Sequence, residues 1–203
     1  MRYRAIIIAA ILFAVAALVS CQSGKNRFKG VFKDMEGVFA ELQDVEKNLD
    51  KKIAGMQSGG ATKNCGDSAG LAAIETKLAK IRKELDKLKP ADMPMISNTI
   101  QTGLDPATQQ PLLETNTTVD WGKVTGEDQI IWANLHMAHT GLAAALKTAE
   151  VACQCVDSGD KNGLYCNVIS IQMPDGKLNF DMQSINKVYF TPVRDIFAGK
   201  KGQ

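Results

Sequence analysis

The chain's two histidines, His136 and His139, stand in the segment His-Met-Ala-His, within a stretch whose apolar residues recur every three or four positions. That spacing predicts a helix, and residues three apart on a helix lie on the same side. The two imidazoles could therefore share a copper or zinc ion, although two ligands are too few and nearby methionines or a free cysteine would have to supply the rest. The alternative interpretation leaves His136 exposed and places His139 at the border of the core beside Trp132.

Residues for catalysis are otherwise scarce. The sequence contains no Gly-x-Ser-x-Gly, no phosphate-binding loop and no cysteine beside a histidine. With only two histidines, acid–base and nucleophilic chemistry would have to rest on carboxylates alone. We therefore expect a protein that is not an enzyme and that binds no cofactor of the usual kinds.

The first 20 residues have the features of an export signal. Arg2 and Arg4 precede an uncharged run of 13 residues, 5–17, that is rich in Ile and Ala. This run is shorter than the roughly 20 apolar residues that a helix needs to cross a bilayer. It has the length of the apolar region of a signal peptide.

The residues after this run, Leu18-Val19-Ser20-Cys21, resemble the lipobox of bacterial lipoproteins. The resemblance implies that signal peptidase II removes residues 1–20, and that Cys21 carries a diacylglyceryl group and, on its new amino group, an acyl chain. These lipids would be the only attached groups, and they would anchor the chain in the bacterial envelope. Gln22 resembles the sorting pattern for the outer membrane rather than the inner one. An ordinary signal cut after Ala16 is the alternative.

Charge argues against a nucleic-acid partner. The whole chain has 24 Lys and Arg against 22 Asp and Glu, and loss of Arg2 and Arg4 with the signal leaves 22 of each. Nucleic-acid-binding domains are basic or carry a basic stripe. The expected partners are instead the membrane, through the lipid anchor, and either an envelope protein or a second copy of the chain.

Three long helices are predicted over residues 27–57, 67–89 and 126–154, because apolar residues step by three and four through each of them. The first helix has three apolar positions in every seven, which favours packing in a bundle over a thin two-stranded seam. In the third helix many of these positions are alanine, so a neighbouring helix must pack closely there.

Two features of the first helix depart from this pattern. Glu46 is the one polar residue at an expected apolar position. Gly30 and Gly37 lie two turns apart on one side, and each lowers helix stability by about 1 kcal/mol relative to Ala. Either a neighbouring backbone approaches them closely, or a long helix simply tolerates them.

Extended structure is expected in two places. Within residues 90–124, two Thr-rich runs flank the turn-like segment 105–108 and suggest a small hairpin. Residues 166–183 predict a second β-hairpin, with its turn at 174–176. A short amphipathic helix over 185–197, interrupted near Pro192, follows it.

The fold class is therefore mainly α: a bundle of about three long helices with a small C-terminal β-hairpin and a short helix. The domain division is a signal peptide over 1–20, a lipidated tether over 21–26 and a single helical domain over 27–203.

The five cysteines fit this arrangement. With Cys21 lipidated, four remain, and the oxidising periplasm or cell surface favours two disulfides. If the helices run up, down and up, Cys65 lies at the same end of the bundle as Cys153 and Cys155. Cys65 can therefore bond to either of these two, and the other can bond to Cys166. A bond between Cys153 and Cys155 would close a strained ring.

The function that these observations favour is a lipid-anchored envelope protein whose helical domain is a non-catalytic interaction or scaffold module. The alternative is a periplasmic lipoprotein that binds copper or zinc through the face of His136-Met137-Ala138-His139.

Overall fold

The computed structural model describes residues 24–59, 64–104, 110–171 and 177–200. The predicted signal peptide over 1–20 and the lipidation site Cys21 lie outside these ranges. The described part is mainly α, as predicted. Its long helices are α1 (Lys29–Gln57), α2 (Ser68–Leu88) and α3 (Glu127–Ser158), and the short helix α4 is Leu164–Ile171. Its two strands are β1 (Met95–Leu104) and β2 (Pro111–Val119).

The three long helices form a bundle with α3 in contact with both α1 and α2. The predicted periodicity produces this packing, because the apolar positions of α1 and α2 are the buried ones. Along α3 the buried positions include five alanines, whose small side chains let the neighbouring helices approach. These are Ala133, Ala138, Ala145, Ala149 and Ala152. The buried side chains of all the long helices join in one core.

The chain enters α1 through a 3₁₀ turn, Gly24–Phe28, which is tied to the start of α3. Arg27 pairs with Asp128 at 2.9 Å, and Lys25 lies 3.7 Å from Glu127. We call this region the tether end. Helices α1 and α3 therefore start at the same end of the bundle, and α2 runs in the opposite direction.

The glycines of α1 do not mark a close helix crossing. A Cβ atom added at Gly30 or Gly37 would meet no atom within 4 Å. Tolerance in a long helix is therefore the explanation that fits. The close approach occurs at Gly141 of α3, where an added Cβ would lie 3.0 Å from the side chain of Ile185.

The sheet is an antiparallel ribbon within the region where the Thr-rich runs suggested a hairpin. Asn98 of β1 lies opposite Asn116 of β2, and a register shift lies between Gln101 and Gly103. Val119 is buried at the base of the ribbon. Among the described residues, no helix packs along the ribbon beyond its base.

The predicted hairpin over 166–183 is wrong. Residues Leu164–Ile171 form helix α4 instead. Six of these eight residues are apolar, and so short a segment fits a strand or a buried helix equally well by pattern. Here Cys166 and Ile169, three residues apart, both point into the core, which is a helical spacing. The predicted turn at 174–176 lies outside the described residues.

Residues 177–180, assigned to the second strand of that hairpin, bond to side chains of α1 rather than to another strand. The N–H of Leu178 donates to Asp50 Oδ1 at 2.9 Å, and the N–H of Phe180 donates to Glu46 Oε1 at 2.5 Å. Glu46 thus interrupts the apolar pattern of α1 where this segment crosses it.

The C-terminal helical segment is continuous through Pro192. It comprises Met182–Ser184, the π-helix Ile185–Phe190 and Thr191–Phe197. Proline cannot donate a backbone hydrogen bond and crowds the preceding turn, and the wider π turn precedes it here. The Thr191 hydroxyl donates to the carbonyl of Asn186 at 3.0 Å, and the predicted interruption does not occur.

Candidate functional site

Two disulfides lie together at the end of the bundle opposite the tether end. Cys65 is joined to Cys153 and Cys155 to Cys166, with Cα–Cα distances of 5.2 and 4.8 Å. This is one of the two pairings that the sequence left open. We call this region, formed by the segment 64–68, the end of α3 and helix α4, the disulfide end.

The four cysteines are built into the core and are unsuited to redox exchange. Each is buried, with at most 9% of its surface exposed. Thiol–disulfide exchange requires that an attacking thiolate reach a sulfur atom. Because these sulfur atoms are buried, an attacking thiolate cannot reach them, and the bridges stabilise the fold rather than react.

Polar contacts hold the loop around Cys65 against both long helices. The N–H of Cys65 donates to Asp157 Oδ1 at 2.6 Å, and the ammonium group of Lys52 donates to the carbonyl of Cys65. Lys52 also pairs with Asp67 at 3.3 Å. The disulfide end is therefore fixed by covalent and hydrogen bonds together.

Helix α4 presents apolar side chains to solvent at this end. Leu164 is 73% exposed, Tyr165 44% and Val168 41%. Leu164 and Val168 are four residues apart, so they share one side of the helix, with Tyr165 beside them. The opposite side is held in the core by Cys166 and Ile169. We call Leu164, Tyr165 and Val168 the α4 face.

The α4 face is far from the point where the chain enters the bundle. Helix α1 has 29 residues and therefore spans about 43 Å at 1.5 Å per residue. It begins at the tether end and finishes at the disulfide end. The first described residues, at the tether end, and the α4 face are thus at opposite ends of the molecule.

Sequence reasoning missed the α4 face because residues from 166 onward were assigned to a β-hairpin, and Leu164 and Tyr165 were assigned to no element. The spacing of Cys166 and Ile169 could have revealed this face. If Cys166 bonds to the end of a helix and Ile169 is buried beside it, two buried residues three apart indicate a helix. Leu164 and Val168 then fall on the outer side.

His136 is part of a stack of side chains between α2 and α3. Its ring lies parallel to the Trp132 ring, with 4.7 Å between centroids and 12° between planes. Arg82 Nη1 lies 3.2 Å from His136 Nδ1, so the ring nitrogen accepts this hydrogen bond. Burial first, and then the charge of Arg82, lower the pKa of His136. The expectation of an exposed His136 is therefore corrected: it is His136, not His139, that contacts Trp132.

His139 is bound one turn further along α3. Its Nε2 lies 3.0 Å from the carbonyl oxygen of Leu78 and must donate to it. Burial lowers the pKa of His139, and this hydrogen bond opposes the effect in part. An Nε2 that carries a proton for a carbonyl cannot bind a metal ion at the same time.

The two histidines therefore face different partners on α2. Each ring has one nitrogen held by α2, His136 Nδ1 by Arg82 and His139 Nε2 by the Leu78 carbonyl, which leaves at most one nitrogen of each ring for an ion. Within the described ranges, no three residues among His, Cys, Asp and Glu come together in the way a metal ion requires.

A groove of about 350 Å³ between α1 and α2 is lined by charged residues of both signs. Lys77 pairs with Glu41 across it at 2.5 Å. Lys33, Asp34 and Lys80 also line it, and Gly37 leaves its wall open. Acids and bases line the groove together, and Lys77 and Glu41 pair across it.

None of the helices in the described ranges is long and apolar enough to cross a membrane.

Comparisons with known proteins establish no family. No family model matches the chain, and no solved structure matches it. Over 90 residues it is 30% identical to a diaminopimelate epimerase of Halothermothrix orenii. This segment covers 44% of the chain but only 31% of that enzyme. The chain thus spans less than a third of the length of this relative.

Proposed function

We propose that this chain is a lipid-anchored protein of the bacterial envelope whose helical domain is a non-catalytic interaction module. The observation that carries the proposal is the use of the cysteines. Four of the five are consumed in two bridges. Cys21, which ends the lipobox-like segment, is then the one cysteine with no bridge to make.

The bridges themselves support export. Disulfides persist in oxidising compartments and are rare in the cytosol. A buried pair of bridges at one end of a bundle is consistent with a domain that folds outside the cytoplasm, as the proposed anchor at Cys21 requires.

The environment of the candidate catalytic groups supports a binding role. The histidines are engaged by Arg82 and by the Leu78 carbonyl, and the thiols are bonded to one another. The partial similarity to an epimerase covers too little of that enzyme to carry its activity here.

The positions of the tether end and the α4 face at opposite ends of the bundle support the α4 face as the binding site for a protein partner. An anchor at Cys21 holds the tether end near the membrane, and the α4 face then lies about 43 Å further out. Exposed aromatic and aliphatic residues are typical of protein-binding sites. A rigid, disulfide-held helix also loses little conformational entropy on binding.

The anchor is tested by membrane fractionation of the full-length chain and its Cys21→Ser variant. The proposal expects the parent protein in the membrane fraction, resistant to high salt, and the variant to remain unprocessed, with the residues of the signal peptide still attached. A Cys21→Ser variant that is processed and fractionates as the parent does would contradict a lipid anchor.

The binding role is tested with a photo-cross-linking amino acid at Val168, which is 41% exposed, using Lys47 on α1, whose side chain is 68% exposed, as the control. Illumination of native membranes should give one discrete adduct from position 168 and none from position 47. Adducts of the same size and yield from both positions would mean that the α4 face has no special role.

A further inference from the structure

The outer edge of β1 is an unguarded strand edge. Proteins normally protect such edges with charges, proline or a bulge. From Met95 to Gln101, β1 contains no charged residue and no proline, and its register shift comes only after Gln101. Strand β2 begins with Pro111 and contains Glu114. The two edges of the ribbon therefore differ, and β1 is the one open to pairing.

The exposed part of β1 is also self-complementary. Its residues read Ile96-Ser97-Asn98-Thr99-Ile100, which is symmetric in chemistry about Asn98. If two copies met antiparallel about a twofold axis at Asn98, Ser97 would lie opposite Thr99 of the other copy. Ile96 would likewise lie opposite Ile100, and no position would place like charges together.

We propose that two copies of this chain pair through β1, edge to edge and centred on Asn98, to form a four-stranded antiparallel sheet. A twofold interface uses the same surface on both copies, as this register requires. Among the described residues β1 pairs with β2 alone, and the backbone N–H and C=O groups along its outer edge supply the affinity, as in other cases of strand addition.

The exposure of the ribbon supports this pairing. Ile96 is 43% exposed, a large apolar side chain in contact with solvent. On the other side of the ribbon, the hydroxyls of Ser97 and Thr117 lie 3.1 Å apart, and those of Thr99 and Thr115 lie 3.2 Å apart. Isolated two-stranded ribbons are only marginally stable. A second ribbon covers Ile96 and doubles the sheet.

The inference goes beyond the proposed function and does not require the lipid anchor. A five-residue edge is small beside the roughly 1,200–2,000 Å² of a stable interface, so the dimer is weak in solution. Confinement to a membrane raises the effective concentration of both copies and strengthens the pairing.

Cysteine cross-linking of the full-length chain tests the register, because Asn98 and Asn116 are exposed, chemically identical and directly opposite each other in the ribbon. In the dimer, two Asn98→Cys residues face each other at about 5 Å, within disulfide range. Two Asn116→Cys residues stand three strand spacings apart, about 14 Å, and cannot bond. Under a mild oxidant, Asn98→Cys should form a covalent dimer, whereas Asn116→Cys and the parent chain should not.

Sedimentation equilibrium of lysine variants gives a second measurement that does not involve thiols. Asn98→Lys places two like charges opposite each other and should weaken the dimer by about fivefold. Asn116→Lys should leave the dissociation constant within about twofold of the parent value.

Three results would overturn the proposal: a parent chain that stays monomeric at every concentration, equal cross-linking of both cysteine variants, or equal weakening by both lysines.

Discussion

The bridge between Cys65 and Cys153 should contribute far more to stability than the bridge between Cys155 and Cys166. The perturbation is the paired replacement of each by alanine: Cys65→Ala with Cys153→Ala in one variant, and Cys155→Ala with Cys166→Ala in the other. Both replacements remove a buried bridge at the same end of the molecule, so the main difference between them is the length of chain that each closes.

The magnitudes follow from the sequence separations of 88 and 11 residues. In the chain-entropy account, closing a loop lowers the entropy of the unfolded chain by an amount that grows with the logarithm of loop length. The long bridge should then contribute about 4.6 kcal/mol and the short one about 2.8 kcal/mol. For a chain of this size, the melting temperature should fall by roughly 9–18 °C and 6–11 °C, respectively.

The assay is urea unfolding followed by circular dichroism, with a thermal scan of each variant under oxidising conditions. The short-bridge variant should also lose the cross-link from Val168, because α4 is no longer fastened to α3. A short bridge that contributes as much as the long one would refute the loop-entropy reasoning. Either Cys65→Ala or Cys153→Ala alone removes the whole bond, so each single variant should be destabilised about as much as the pair. Smaller effects of the two single variants that add up to the effect of the pair would refute the bond.

Three further predictions concern helix packing and ionisation. Gly30→Ala and Gly37→Ala should each raise the free energy of unfolding by about 0.5–1 kcal/mol in urea titrations. Gly141→Leu, whose side chain meets Ile185, should lower it by about 1–3 kcal/mol. Equal effects of the three substitutions on the free energy of unfolding would contradict the packing described. Burial raises the pKa of Glu46 above 4.5, so the folded state binds the proton of this carboxyl group more tightly than the unfolded state does. The free energy of unfolding therefore declines as pH rises from 4.5 through the higher pKa of the folded state. Glu46→Gln, measured from about pH 4 to 7, should lose this decline and keep the bond from Phe180. Burial lowers the pKa of His139 below 6.5, so the contribution of the neutral ring to the free energy of unfolding is complete above that pH and is lost as pH falls. His139→Gln should therefore flatten the dependence of the free energy of unfolding on pH between about pH 5 and 7. An unchanged slope would contradict the burial of His139.

Apolar spacing was sufficient to predict the three long helices, because a repeat sustained over 20 residues or more has one structural solution. It failed from residue 166 to 171, where a short, mostly apolar segment satisfies both helix and strand. The deciding interactions there are tertiary: the bridge to Cys155 and the burial of Ile169.

The candidate site was predicted in part for the same reason. Helix directions placed Cys65 near the end of α3, but the choice between Cys153 and Cys155 depends on helix rotation, which spacing alone does not fix. The histidines show a similar limit. Their spacing places them on one side of α3, yet Arg82 and the Leu78 carbonyl, both on α2, determine what each ring can do.

Mass spectrometry of the N-terminal peptide from membrane-extracted protein tests the central claim most directly. We predict a peptide that begins at Cys21 and carries a diacylglyceryl group on sulfur, with or without an acyl chain on nitrogen. A peptide that retains residues 1–20, or a mature chain with an unmodified Cys21, would contradict it.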